Sequence, residues 1–68
     1  MPKLSVLARV AGSLSDRAIV TNLTTIAAEL DEWAAAGFDV DGAPELALDR
    51  AKRDALRAEY RRRTGERI

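Results

Sequence analysis

The sequence predicts an all-α protein: a short N-terminal helix followed by an antiparallel two-helix hairpin. The main observation is an apolar stripe whose members are separated by alternating steps of four and three residues: Ile19, Leu23, Ile26, Leu30, Trp33 and Gly37. This spacing keeps one face of an α-helix apolar along its length, whereas a strand would need a period of two. The second observation is that all four glycines and both prolines fall outside the helical patterns.

The first helix is expected over about residues 3–11. Gly12 follows this apolar run and suits a left-handed C-terminal cap. Ser13 precedes Asp16 by three residues, which is the spacing of a capping box and predicts that the helix restarts there.

The second helix contains the apolar stripe and is expected over about residues 14–36. A parallel row of Val20, Ala27 and Ala34 is expected to widen its buried face. Asn22 lies among threonines, which are weak helix formers, so a kink or break is expected near it. Gly37 suits the left-handed cap at the end of this helix.

The third helix is expected over about residues 43–64, with Pro44 in its first turn and Gly65 as its C-terminal cap. Asp41 or Gly42 is expected to cap its N-terminus. The connection Gly37–Gly42 is short, so the second and third helices should fold back on each other as an antiparallel hairpin.

The chain is expected to be one helical domain over residues 1–68 that assembles into a helical-bundle homodimer. Thirteen of its apolar residues are alanines, so its own core is small. Small domains without disulfides or metals commonly gain stability by oligomerising. The side chains on the outer face of the second helix are small and nearly all uncharged, which also favours a partner helix. The hairpin is expected to leave apolar helix faces that it cannot bury itself. The first helix could cover one of these faces but is too short to cover two.

Charge is strongly segregated although the net charge is zero. Residues 29–49 hold seven acidic residues and no basic one, whereas residues 50–68 hold eight basic and three acidic residues. Two favourable i,i+4 pairs are expected in the third helix: Asp49–Arg53 and Glu59–Arg63. The acids that end the second helix oppose its dipole. They are expected to attract Arg50 and Arg53 across the hairpin, or the basic end of another chain.

The candidate partner-binding residues are the aromatic side chains and the arginines of the third helix: Trp33, Phe38, Tyr60, Arg57, Arg61, Arg62 and Arg63. The place of Trp33 in the stripe favours burial in the core; an interface anchor, extended by Phe38, is the alternative. Three clustered arginines have fewer evident partners inside the chain than the acids do. The basic end is therefore expected to guide docking.

A second interpretation is a DNA-binding regulator or antitoxin of helix-turn-helix type. Ala8, Gly12 and the β-branched Ile19 approach the spacing of that motif, although Ile19 comes one residue late. The residues that could contact DNA are Arg17, Thr21, Asn22 and Thr24. The neutral net charge argues against strong binding to nucleic acid.

Catalytic and metal-binding functions find little support in the composition. There is no histidine and no cysteine, so imidazole and thiol chemistry are lacking. Asp39, Asp41 and Gly42 match part of a calcium loop, but the first and last ligand positions would be Gly37 and Leu48. We expect no enzyme activity, no metal and no cofactor. No apolar run reaches 18 residues, which favours a cytoplasmic protein without a membrane contact.

The function that these observations favour is a non-enzymatic protein-protein interaction module. It would act as an inhibitor or adaptor that docks onto a larger bacterial regulator or enzyme, with an unidentified host protein and a second copy of itself as partners. A third interpretation is a structural or assembly component of a phage particle. The abundance of alanine and arginine suits a GC-rich bacterial genome or its phages.

Overall fold

The computed structural model of the protein describes residues 4–65, which form three α-helices. Helix α1 covers Leu4–Ser13, α2 covers Asp16–Ala35 and α3 covers Ala47–Thr64. A short 3-10 turn over Pro44–Leu46 leads into α3. Within residues 4–65 there is no strand, so the expected all-α class is confirmed.

Helix α1 is longer than expected at its C-terminal end, and its predicted start at residue 3 lies outside the described residues. Gly12 was predicted to be a left-handed cap, which is wrong, because it lies inside α1 without a positive φ. The Ser13 hydroxyl donates to the Val10 carbonyl at 2.7 Å, so Ser13 still belongs to α1. Ser15, rather than Ser13, caps α2 by accepting a hydrogen bond from the Ala18 amide at 3.1 Å.

Helix α2 is continuous through the segment where a break was expected. The side-chain amide of Asn22 donates to the Ala18 carbonyl at 2.8 Å, and the Thr24 hydroxyl donates to the Val20 carbonyl at 2.9 Å; each acceptor lies four residues earlier. These polar side chains are thereby satisfied along the helix instead of competing with it.

The connection between α2 and α3 begins at Gly37 with a φ of 96°, the left-handed conformation that was predicted there. The predicted capping role of Asp41 or Gly42 is wrong, because Ala43 precedes the 3-10 turn and no side chain caps it. Arg50 of α3 instead fixes the connection, donating to the carbonyls of Val40 and Ala43 at 3.0 and 2.7 Å.

Helix α3 is central, since α1 and α2 both make their main contacts with it. Six apolar side chains are buried between the helices: Ala11, Ile19, Ile26, Leu30, Leu46 and Leu56. Leu14, Leu23 and Tyr60 are half-buried around this core. Helix α1 therefore covers one of the apolar faces that was expected to be spare.

The buried face of α2 is narrower than the apolar stripe predicted. Val20, Ala27 and Ala34 were expected to widen it, but all three are exposed. Trp33 was expected to be largely buried, yet 42% of it is exposed. The reason is that α2 has one main neighbour, and a single helix covers only a narrow stripe of another. No helix of residues 4–65 has the length and apolar character that crossing a bilayer requires.

Candidate interaction surfaces

An exposed aromatic pair lies where α2 ends. The amide of Gly37 donates to the Ala34 carbonyl at 3.0 Å, and the amide of Phe38 donates to the Trp33 carbonyl at 3.0 Å. These two hydrogen bonds form a Schellman motif, in which the residue after the left-handed glycine folds back on the helix. The rings of Trp33 and Phe38 therefore meet edge to face, with centroids 4.8 Å apart and planes at 77°.

The Schellman motif accounts for the contact between the two rings but leaves both of them half exposed, Trp33 at 42% and Phe38 at 44%. Glu29 and Glu32 precede Trp33 by four residues and by one residue on α2, and both are exposed. We call Glu29, Glu32, Trp33 and Phe38 the acidic-aromatic surface. Its two aromatic rings provide apolar area. Glu29 lies one helical turn before Trp33 on the same side of α2, whereas Glu32 points about 100° away from Trp33 around the helix.

The carboxylates that end α2 lack cationic partners inside the described part of the chain. Among residues 4–65, Glu29, Asp31 and Glu32 form no ion pair, although the dipole of α2 disfavours negative charge at this end. The expected pairing with Arg50 and Arg53 is wrong. Arg50 binds backbone carbonyls, and Arg53 binds Asp54 at 3.2 Å instead of the expected Asp49.

At the other end of α3, Glu59 is the centre of an ion-pair network. Its carboxylate accepts hydrogen bonds from Arg62 and, at 2.6 Å, from Nε of Arg63, which confirms the expected i,i+4 pair. Arg63 also donates to Asp16 at 2.6 Å and to the Gly12 carbonyl at 3.1 Å. This network joins the end of α3 to the end of α1 and the start of α2.

The hydrogen bonds of this network shift the ionisation of its members. Hydrogen bonds from Arg62 and Arg63 lower the pKa of the Glu59 carboxyl below its ordinary value of 4.5. The hydrogen bond that Arg62 donates to Glu59 raises the pKa of Arg62, and those that Arg63 donates to Asp16 and to Glu59 raise the pKa of Arg63. The prediction that these arginines have few internal partners is therefore wrong. Among residues 4–65, Arg57 and Arg61 are the members of the predicted arginine set without an ion pair.

The remaining predicted site residues are separated from the aromatic pair or engaged with their own helix. Tyr60 packs against the core. Of the DNA-contacting set, Asn22 and Thr24 bond to backbone carbonyls of α2, whereas Arg17 and Thr21 are exposed. The two helices of the suggested motif are joined by two residues and each packs mainly against α3, unlike a helix-turn-helix pair with its turn of three to four residues.

Two grooves lie between the helices, and neither was predicted because grooves depend on how helices are placed. The larger, of about 310 Å³, lies between Val10 of α1, Asn22 of α2 and Lys52 of α3. The shallower, of about 230 Å³, lies between α2 and α3 and is lined by Leu23, Thr24, Ala27, Arg53 and Arg57. Within residues 4–65, no three acidic side chains come close enough to hold a metal ion.

Comparison of the chain with protein-family models, with curated proteins and with solved structures finds no match in any of the three. A functional interpretation therefore depends on the surfaces themselves.

Proposed function

We propose that this protein is a non-enzymatic interaction module, an inhibitor or adaptor, that docks onto a basic surface of a larger bacterial protein. The observation that carries the proposal is the acidic-aromatic surface, in which two half-exposed rings meet near the end of a helix whose carboxylates, Glu29 and Glu32, form no ion pair among residues 4–65. Tryptophan is enriched among residues that dominate binding energy. Carboxylates around such an anchor attract a positively charged partner and accelerate its encounter.

The proposed docking site lies at the end of α2, and not at the basic end of α3 that was expected, for a physical reason. Arg62 and Arg63 are engaged by Glu59, so using them for a partner would require breaking an existing network. Glu29 and Glu32 have no such internal contacts among residues 4–65, and a cationic partner would relieve their unfavourable position in the helix dipole. Docking at this end therefore leaves the fold intact.

The antiparallel arrangement of α2 and α3 and a homodimeric bundle in the cytoplasm are further parts of this proposal. The short connection between α2 and α3 supports the antiparallel arrangement. The small core, with six buried side chains among the described residues, supports self-association.

Affinity capture from host lysate with three forms of the tagged protein tests this proposal. The forms are wild type, Trp33→Ala and Leu48→Ala; the last removes an exposed apolar side chain of similar accessibility far along the sequence. We expect one dominant protein partner that is retained by wild type and Leu48→Ala and lost by Trp33→Ala. A partner bound equally by all three forms would contradict the proposal.

The same capture experiment addresses the two alternatives. Material that is lost on nuclease treatment, and lost again in Arg17→Ala, would replace docking to a protein with DNA binding. Recovery of the protein only within large sedimenting particles would favour a structural component of a phage. Neither alternative is supported by a specific contact among residues 4–65.

A further inference from the structure

We propose that two copies of this protein pair through one flank of α2, running antiparallel, with Asp31 of each copy bonded to Arg57 of the other. The flank carries Val20, Ala27 and Ala34. This inference rests on the homodimer in the proposed function and identifies the surface that forms it. It concerns a different part of α2 from the acidic-aromatic surface.

The first observation is an exposed helix flank without charge at its centre. Val20 is 46% exposed, and Ala27 and Ala34 follow it at seven-residue intervals, which is two helical turns, so the three share one flank. Between Arg17 and Glu29, α2 has no charged residue at all. The solvent face of a helix in a soluble domain normally carries charged side chains, so this flank has the composition of a contact surface.

The second observation is the pair of unmatched charges beside that flank. Arg53 and Arg57 line the shallow groove next to Leu23 and Ala27. Arg53 is held by Asp54, whereas Arg57 is half-buried and forms no ion pair within residues 4–65. On α2, Asp31 is likewise unpaired in that range and lies four residues after Ala27, on the same flank.

Antiparallel pairing matches these charges. When two copies of α2 cross with Ala27 on the twofold axis, the residue four positions before it faces the residue four positions after it in the other copy. Leu23, in the groove wall beside Arg57, thus faces Asp31 of the second copy. The alanine at the centre allows a close approach of the helices. Because a twofold contact repeats itself, the dimer gains two Asp31–Arg57 pairs.

A second copy suits this flank better than an unrelated partner because the flank supplies both halves of the contact. The groove beside the flank contains the cation, Arg57, and the next turn of α2 contains the anion, Asp31. A domain of 68 residues with a small core also gains from the additional apolar burial. Trp33 and Glu29 lie on the other side of the buried stripe, so dimerisation leaves the acidic-aromatic surface accessible.

A charge-swap experiment tests the pairing. The masses of wild type, Asp31→Arg, Arg57→Asp and the double variant are measured by light scattering after size exclusion at micromolar concentrations. We expect wild type at twice 7.4 kDa, each single variant with dimerisation weakened about tenfold or more, and recovery of the dimer in the double variant. Asp41→Arg and Arg61→Asp change exposed charges outside the proposed contact and should leave the dimer unchanged.

Circular dichroism of each variant verifies that it remains helical, and Val20→Lys provides an independent disruption of the same flank. The inference is overturned if wild type is a monomer, if both single variants remain dimers, or if the double variant does not recover the dimer. Partner capture by a monomeric wild type would overturn the dimer and leave the docking proposal standing. A charge-dependent dimer that captures no partner would support the dimer and contradict the docking proposal.

Discussion

At the scale of single residues, Glu59 is the residue that gathers two arginines into one ion-pair network at the end of α3. It accepts hydrogen bonds from two arginines. One of them, Arg63, also donates hydrogen bonds to Asp16 and to a backbone carbonyl of α1. The i,i+4 spacing of Glu59 and Arg63 was visible in the sequence. The contact of Arg63 with Asp16 was not, because it joins residues 47 positions apart and depends on how the helices pack.

Glu59→Gln should make stability less dependent on pH. The folded state lowers the pKa of Glu59 below its ordinary value of 4.5. The charged carboxylate therefore stabilises the fold fully at pH values above that ordinary pKa. This stabilisation is lost as the pH falls through the lowered native pKa. Melting temperatures of wild type and Glu59→Gln should therefore differ most near neutrality and converge in acid. A constant difference between the two from pH 7 to pH 3 would contradict the assigned role.

Leu30→Ala tests the buried stripe of α2. Leu30 is 4% exposed, so its truncation should lower the free energy of unfolding by roughly 2–5 kcal/mol. Leu48→Ala removes the same atoms from an exposed position and should have a much smaller effect. Urea unfolding followed by circular dichroism measures both. Equal stabilities of the two variants would show that Leu30 does not belong to the core.

At the scale of helices, the sequence predicted which segments are helical and where two of them end. Gly37 and Gly65 both adopt the left-handed conformation that stops a helix, with φ of 96° and 75°. The end of α1 was predicted wrongly, because Gly12, Ser13 and Ser15 all carry the chemistry of a boundary. Only the hydrogen bonds made by the two serines distinguish the position of the cap.

Two glycine substitutions should have opposite effects on stability. Gly12 has an ordinary helical φ, and an added Cβ would lie 3.7 Å from Glu59, an ordinary contact, so Gly12→Ala should stabilise the protein by about 0.4–1 kcal/mol. Gly37→Ala should destabilise it by about 1–2 kcal/mol, because alanine resists the left-handed conformation. Thermal melting of both variants measures this. Destabilisation by Gly12→Ala would contradict the extension of α1 through this residue.

At the scale of the whole molecule, the sequence predicted an acidic region and a basic region but wrongly indicated that the basic region has fewer partners inside the chain. At the end of α3, Arg62 and Arg63 are paired with Glu59, whereas Glu29, Asp31 and Glu32 form no ion pair among residues 4–65. The apolar stripe likewise could not reveal that Trp33 is half exposed, because burial depends on α3 covering only part of α2. The proposed docking surface could therefore be recognised only in the packed molecule.

The most direct test of docking through the acidic-aromatic surface is binding kinetics with the captured partner. Trp33→Ala should weaken binding about thirtyfold or more, mainly through faster dissociation. Joint reversal of Glu29 and Glu32 to lysine should slow association and remove its acceleration at low salt, while Arg61→Glu should not slow it. Unchanged dissociation in Trp33→Ala, with association slowed only by Arg61→Glu, would contradict docking through the acidic-aromatic surface and place docking at the basic end of α3.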